Sequence, residues 1–148
     1  YFTPGELIIP ALDVYQTVTE APLVNNRWEL RYLGKNVAWL PPSGYFPGDE
    51  FSMVFAAHVT DYDGQRGPFY HLRNLSAGNE VIYRWNGNEY RYVVTGSEVV
   101  APYEVEKLFV NNGNGLLLVT CTNWDSGVGA YADRIIIYAS LTSTTPLY

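Results

Sequence analysis

The chain is poor in the residues that most often announce a chemistry. Among 148 residues there are one cysteine and two histidines. A single cysteine excludes an internal disulfide, so cysteine usage is silent about redox compartment. It also excludes a CxxC zinc motif, and no His–Cys cluster has zinc spacing. Basic residues are scarce, with 9 Lys and Arg against 15 Asp and Glu and a net charge of −6. With no basic cluster along the chain, nucleic-acid binding finds no electrostatic footing. The acidic balance chiefly serves solubility. No apolar run approaches the ~18 residues needed to span a bilayer, and no signal peptide is visible. The chain opens on Tyr1 and not on Met. That start is expected of a processed or trimmed piece, and it leaves open an anchor elsewhere in a longer protein.

What is present is a folding composition. Hydrophobic residues make up 47% and charged residues 16%, a balance found in globular chains and not in disordered ones. The length suits one domain able to bury a core without metal or disulfide staples. Aromatics reach 16%, and 13 of them are tyrosines. Tyrosine favours strands that have one wet face.

The pattern along the chain is mostly strand. GELIIPALDVYQTV holds short apolar runs broken by Pro10. RWELRYL alternates Trp28 and Leu30 against charges. VAWLPPSGYFPGDE is expected to be a loop, because its prolines cannot continue a ladder. FSMVFAAH, LLLVTC and RIIIYASL are continuous apolar runs, as in central strands covered on both faces. VIYRW and EYRYVV flank Asn86-Gly87, a strong hairpin signal. FYHLRNLSAGNE and PYEVEKL are candidates for short helical turns, and TSTTPLY after Leu141 reads as a tail. About eight short strands with almost no helix predict an all-β closed barrel or sandwich.

Three reactive side chains fall at the edges of these apolar runs. His58 ends FSMVFAAH, Cys121 ends LLLVTC, and Arg134 opens RIIIYASL. If the first two strands run parallel and adjacent, and the third returns antiparallel, all three meet at one rim. A thiolate is a strong nucleophile and an imidazolium can protonate a leaving amine. Arginine stays charged and donates a fixed fork of hydrogen bonds to a carbonyl or an oxyanion. Each residue alone has a plainer reading: a small core cysteine, a strand-end histidine, a solvated arginine. Their joint placement raises catalysis to equal standing with the plainer readings. His71 reads as a packed or surface residue. Asp61 and Asp63 lack the further ligands of a calcium loop, so no metal and no cofactor are expected. A non-catalytic barrel that binds peptide or sugar on its aromatics, and a purely hydrolytic cysteine protease, remain the alternatives.

LLLVTC with the downstream DRIII resembles the T-L-x-T-C…R signature of the sortases. MVFAAHV resembles their strand-ending Gly-His motif, and ELIIPALDV resembles their opening strand. GPFYHLRNLSAGNEVIYRWNGNEYRYVV is similar to their aromatic-rich stretch and following hairpin. The likeness runs from Glu6 to Leu141. It implies a closed sortase-type β-barrel of about eight strands with one or two short helices, with 1–141 as the catalytic domain and 142–148 as a C-terminal tail. It implies a cysteine transpeptidase that cleaves an LPXTG-like C-terminal sorting signal between Thr and Gly. The thioacyl enzyme then passes its acyl group to an amine of cell-wall precursor or of another surface protein such as a pilin. On the matching positions Cys121 is the expected nucleophile and His58 the acid and base. Arg134 is expected to hold the substrate backbone and oxyanion, and Thr120 to help form the oxyanion pocket. The segment from Val99 to Gly115 corresponds to a wall of the signal groove. The implied setting is the extracellular face of a bacterial membrane, reached through an anchor outside this chain. Ala57 and Leu117 depart from the family's Gly and Thr. No DPW or DPF lid motif precedes the first strand, which points to a non-lidded class.

Overall fold

The computed structural model describes residues 2–61 and 63–148; Tyr1 and Tyr62 lie outside the described residues. Eight strands close into one barrel: β1 (Glu6–Ile9), β2 (Val14–Glu20), β5 (Val37–Trp39), β6 (Met53–Ala56), β9 (Gly115–Asp125), β10 (Ala130–Pro146), β8 (Asn88–Val100) and β7 (Glu80–Trp85), in that spatial order. The ring shuts because β7 pairs back to β1. Closure removes the free edges that an open sheet would present. Two short strands, β3 (Leu23–Val24) and β4 (Arg27–Trp28), form a separate hairpin. Helical structure is limited to 3-10 turns at Pro10–Leu12, Leu72–Asn74 and Val105–Leu108 among the described residues. The expected all-β barrel is therefore the fold.

The local chemistry explains most of the elements. Asn86 and Gly87 both take positive φ, 51° and 79°, as the two-residue turn between β7 and β8 requires. Asn25 and Asn26 do the same between β3 and β4, a hairpin whose strands are too short to show alternation. The continuous apolar runs are buried on both faces, as expected: every residue of β6 is buried, and so are Gly115 to Thr120 of β9.

Three segments differ from their sequence-based expectation. Val37–Trp39, read as part of a loop, is a fully buried central strand. It ends before Pro41, so the prolines never enter the ladder. RWELRYL is strand only at Arg27–Trp28. Its apolar positions instead pack Trp28, Leu30 and Leu33 onto the outside of the barrel. Beyond Leu141 the chain does not leave the sheet as a tail: Ser143 to Pro146 pair with Arg91 to Asn88.

The alternation of side chains across each strand builds two apolar layers. Phe55, Leu116, Leu118, Ile135 and Ile137 fill the barrel interior. Val54, Ala56, Leu117, Val119 and Ile136 point the other way, into a second cluster roofed by Leu108, Trp28 and Leu30. The outer layer is the floor on which the candidate site stands.

Candidate active site

Strands β6 and β9 are parallel neighbours, with partners running from Met53↔Leu116 to Ala56↔Val119. Two residues further along each chain come His58 and Cys121. Strand β10 returns antiparallel, and Arg134 is the direct cross-strand partner of Cys121. Directly opposed residues share a face, about 4.5–5.5 Å apart at Cβ. Since Val119 and Ile136 belong to the outer layer, alternation puts Cys121 and Arg134 on the outer face as well. Cys121 and Arg134 therefore share the exterior of the barrel wall, and His58 follows the neighbouring strand β6 by two residues.

Cys121 is not at the end of its strand. β9 runs on to Asp125 and β10 begins at Ala130, so the ladder continues past the cysteine through Asp133↔Thr122 and Tyr131↔Trp124. The stretch from 122 to 133 is a hairpin whose turn is only a few residues long. Asn123 Nδ2–H donates to Asp133 at 2.7 Å across it. Trp124 and Tyr131 meet edge to face at 5.0 Å.

The cysteine is half-buried and unpaired. Burial pushes its thiol above the ordinary value, and the positive charge of Arg134 pulls it back. The Arg134 Nη1–H donates to the Asp133 carbonyl at 2.9 Å, which fixes the guanidinium against its own strand. His58, also half-buried, brings its Nε2 within 2.6 Å of the Leu30 carbonyl oxygen.

Thr120 occupies the opposite face from Cys121. Its buried hydroxyl donates to the Ala57 carbonyl at 2.6 Å, tying β9 to the residue before His58. That side chain is spent on the strand pair and faces away from the outer face that Cys121 shares with Arg134. Ala57 packs its methyl into the barrel interior, away from the outer face. Leu117 is buried in the outer layer beneath the site. His71 lies outside the constellation, at a 3-10 turn. Asp61 turns its carboxylate inward on its own loop, accepting from the amides of Asp63 and Gln65. No group of three or more His, Cys, Asp or Glu is placed to hold a metal among the described residues.

Two contributors have no warning in the residue types. Gly67 packs so tightly on the His58 backbone that a methyl would sit 2.6 Å from the His58 carbonyl carbon. A glycine in a polar loop is ordinary, and only its place in the fold marks it. The Leu30 carbonyl is a backbone group that any residue would supply.

The eight-stranded barrel thus carries a thiol and a guanidinium as direct cross-strand partners on its outer face. The Sortase domain model matches residues 7–142, and the chain belongs to the sortase family. No curated protein matches it at a significant level. Among solved structures, sortase C-3 from Streptococcus pneumoniae aligns with TM-score 0.76 and 22% identity, over 97% of this chain and 64% of that one. Sortase E1 from Streptomyces coelicolor, solved with a tripeptide in its active site, aligns with TM-score 0.73 and 18% identity, over 98% and 91%. A T196V mutant of sortase E from Streptomyces avermitilis gives TM-score 0.73 and 24% identity, over 99% and 93%. Sortases of classes A and D match as well. At these identities the likeness speaks for the fold. Family and fold together imply a cysteine transpeptidase that acts at the cell surface. No helix among the described residues is long and apolar enough to cross a membrane.

Proposed function

We propose that this domain is a transpeptidase that cleaves an LPXTG-like sorting signal through a thioacyl intermediate on Cys121. The observation that carries the reading is the pairing of Arg134 with Cys121 on the outer face, level with His58. The thiolate of Cys121 attacks the threonine carbonyl of the signal, and the Arg134 guanidinium faces the negative charge that grows on that oxygen. The Thr–Gly bond breaks as imidazolium His58 gives a proton to the glycine nitrogen. A thioester remains. An amine of cell-wall precursor or of another surface protein then attacks it. His58 takes the amine's proton, and Cys121 leaves as thiolate.

The raised thiol makes the reactive pair a minority species near neutral pH. The segment between β8 and β9, whose Leu108 and Val110 pack on the outer layer, forms one wall of the peptide groove. The setting is the extracellular face of a bacterial membrane, with the anchor supplied by a segment outside this chain.

The test is mass spectrometry after mixing the domain with an LPXTG-type peptide, with and without an amine acceptor. A thioacyl adduct on Cys121 and an amine-dependent ligated product are expected, and neither in Cys121→Ala. Hydrolysed peptide alone would make the domain a protease. The absence of any adduct would reduce it to a binding module.

A further inference from the structure

The structure assigns a third member to the acid–base unit: the backbone carbonyl of Leu30, which we propose holds His58 in one tautomer and directs its transferable proton to Nδ1. The inference rests on the reading of His58 as the acid and base. Its chemistry is simple. A carbonyl oxygen only accepts, so an imidazole nitrogen 2.6 Å away must carry the hydrogen. The neutral ring is therefore protonated on Nε2 and bare on Nδ1. In the imidazolium both nitrogens carry protons. The Nε2 proton stays with Leu30 while the Nδ1 proton goes to the departing glycine nitrogen. On the return step the Nδ1 lone pair accepts one proton from the attacking amine, and the neutral ring becomes imidazolium again.

The carbonyl is presented by a braced strap. Leu30 also accepts from the Leu33 amide at 3.1 Å, so one lone pair closes a turn and the other meets His58. Trp28, two residues earlier, anchors the strap by donating its indole N–H to the Pro41 carbonyl at 2.7 Å. Its ring also lies against Phe109 at 6.4 Å. Leu30 and Leu33 bury their own side chains on the outer layer. On the far side, Lys35 donates to the Arg66 carbonyl, next to the Gly67 that packs on His58. The histidine is thus held from two loops, and the orienting group of the familiar nucleophile–base–orienter arrangement is here a main-chain oxygen.

The experiment uses histidine labelled with nitrogen-15 and long-range proton–nitrogen NMR, with His71→Gln to assign the two rings. Neutral His58 is expected to carry its proton on Nε2 in the unmodified protein and in Cys121→Ala. A predominant Nδ1–H form would overturn the inference. The second arm replaces the amide after Leu30 by an ester, using the hydroxy-acid analogue of arginine at position 31, which weakens that carbonyl as an acceptor. Turnover is expected to fall about tenfold with KM changed less than about twofold, and the His58 tautomers to mix. Because Arg31 N–H also donates to Glu29, Glu29→Ala is the control and should leave both readouts unchanged. Undiminished turnover in the ester variant would equally overturn the assignment. Should the ester variant not fold, the tautomer of the unmodified protein still decides. Failure of the parent reading looks different, since it would show as no thioacyl adduct on Cys121 whatever the tautomer.

Discussion

A single methyl group added at Gly67 should disable the enzyme without touching any reacting group. A Cβ there would lie 2.6 Å from the His58 carbonyl carbon and 2.9 Å from its Cβ. Ordinary carbon–carbon contact is about 3.5–4.0 Å, so the two backbones must part by about 1 Å. Relief cannot come from a flexible side chain, because the obstruction is main chain. The Gly67 amide donates to the Val59 carbonyl at 2.8 Å, and Phe69 donates to His58 itself, so the loop and the histidine must move together or lose those bonds. Overpacking of this kind costs about 1–3 kcal/mol. For a domain of this size that is a drop in Tm of roughly 2–12 °C. The larger effect is on position. A ~1 Å error at an acid–base residue reduces kcat by about 100-fold. Gly67→Ala should therefore melt a few degrees lower, lose about two orders of magnitude in turnover of a fluorogenic sorting-signal peptide, and still alkylate at Cys121, which stands on another strand. Turnover within twofold of the parent would refute the reasoning.

The thiol of Cys121 sits above its ordinary value because it is buried. Its alkylation rate should keep rising with pH past the usual thiol range near ~8.5, and a plateau well below that range would contradict the burial argument. Arg134→Ala removes the charge that lowers the thiol, so alkylation at fixed neutral pH should slow further. Transpeptidation should fall about 100-fold or more, measured as ligated product by chromatography. Thr120→Val keeps the shape but leaves the Ala57 carbonyl without its donor. That change should cost about 1–3 kcal/mol in urea unfolding, whereas Thr120→Ser, which keeps the hydroxyl, should recover most of it.

The barrel was legible because its central strands are buried on both faces and so appear as unbroken apolar runs. The pairing of Cys121 with Arg134 was legible for the same reason: each stands at the edge of such a run. The extent of the strands was not. Thr122 to Asp125 carries no apolar run, yet Thr122, Trp124 and Asp125 pair across the ribbon, since a two-stranded ribbon needs only its backbone and a tight turn. Ser143 to Pro146 stays in the sheet because β8 is long enough to partner it, which no local pattern announces. Thr120 shows the limit for side chains. It stands next to the cysteine in sequence, but the period of two in a strand turns neighbours to opposite faces. The Leu30 carbonyl and Gly67 act through main chain and through an absent side chain, and residue identity encodes neither.

The hydrogen bond from Thr120 to Ala57 joins residues 63 positions apart, and it lies in one of the two parallel pairings of the barrel. Parallel neighbours need a long crossover, and closing so long a loop costs more chain entropy than closing a tight turn. His58 and Cys121 therefore meet only after the crossover from β6 to β9 has been completed. Before that step the chain carries a thiol and an imidazole that stand far apart in sequence. The proposed acyl-transfer site therefore takes shape only as the barrel closes.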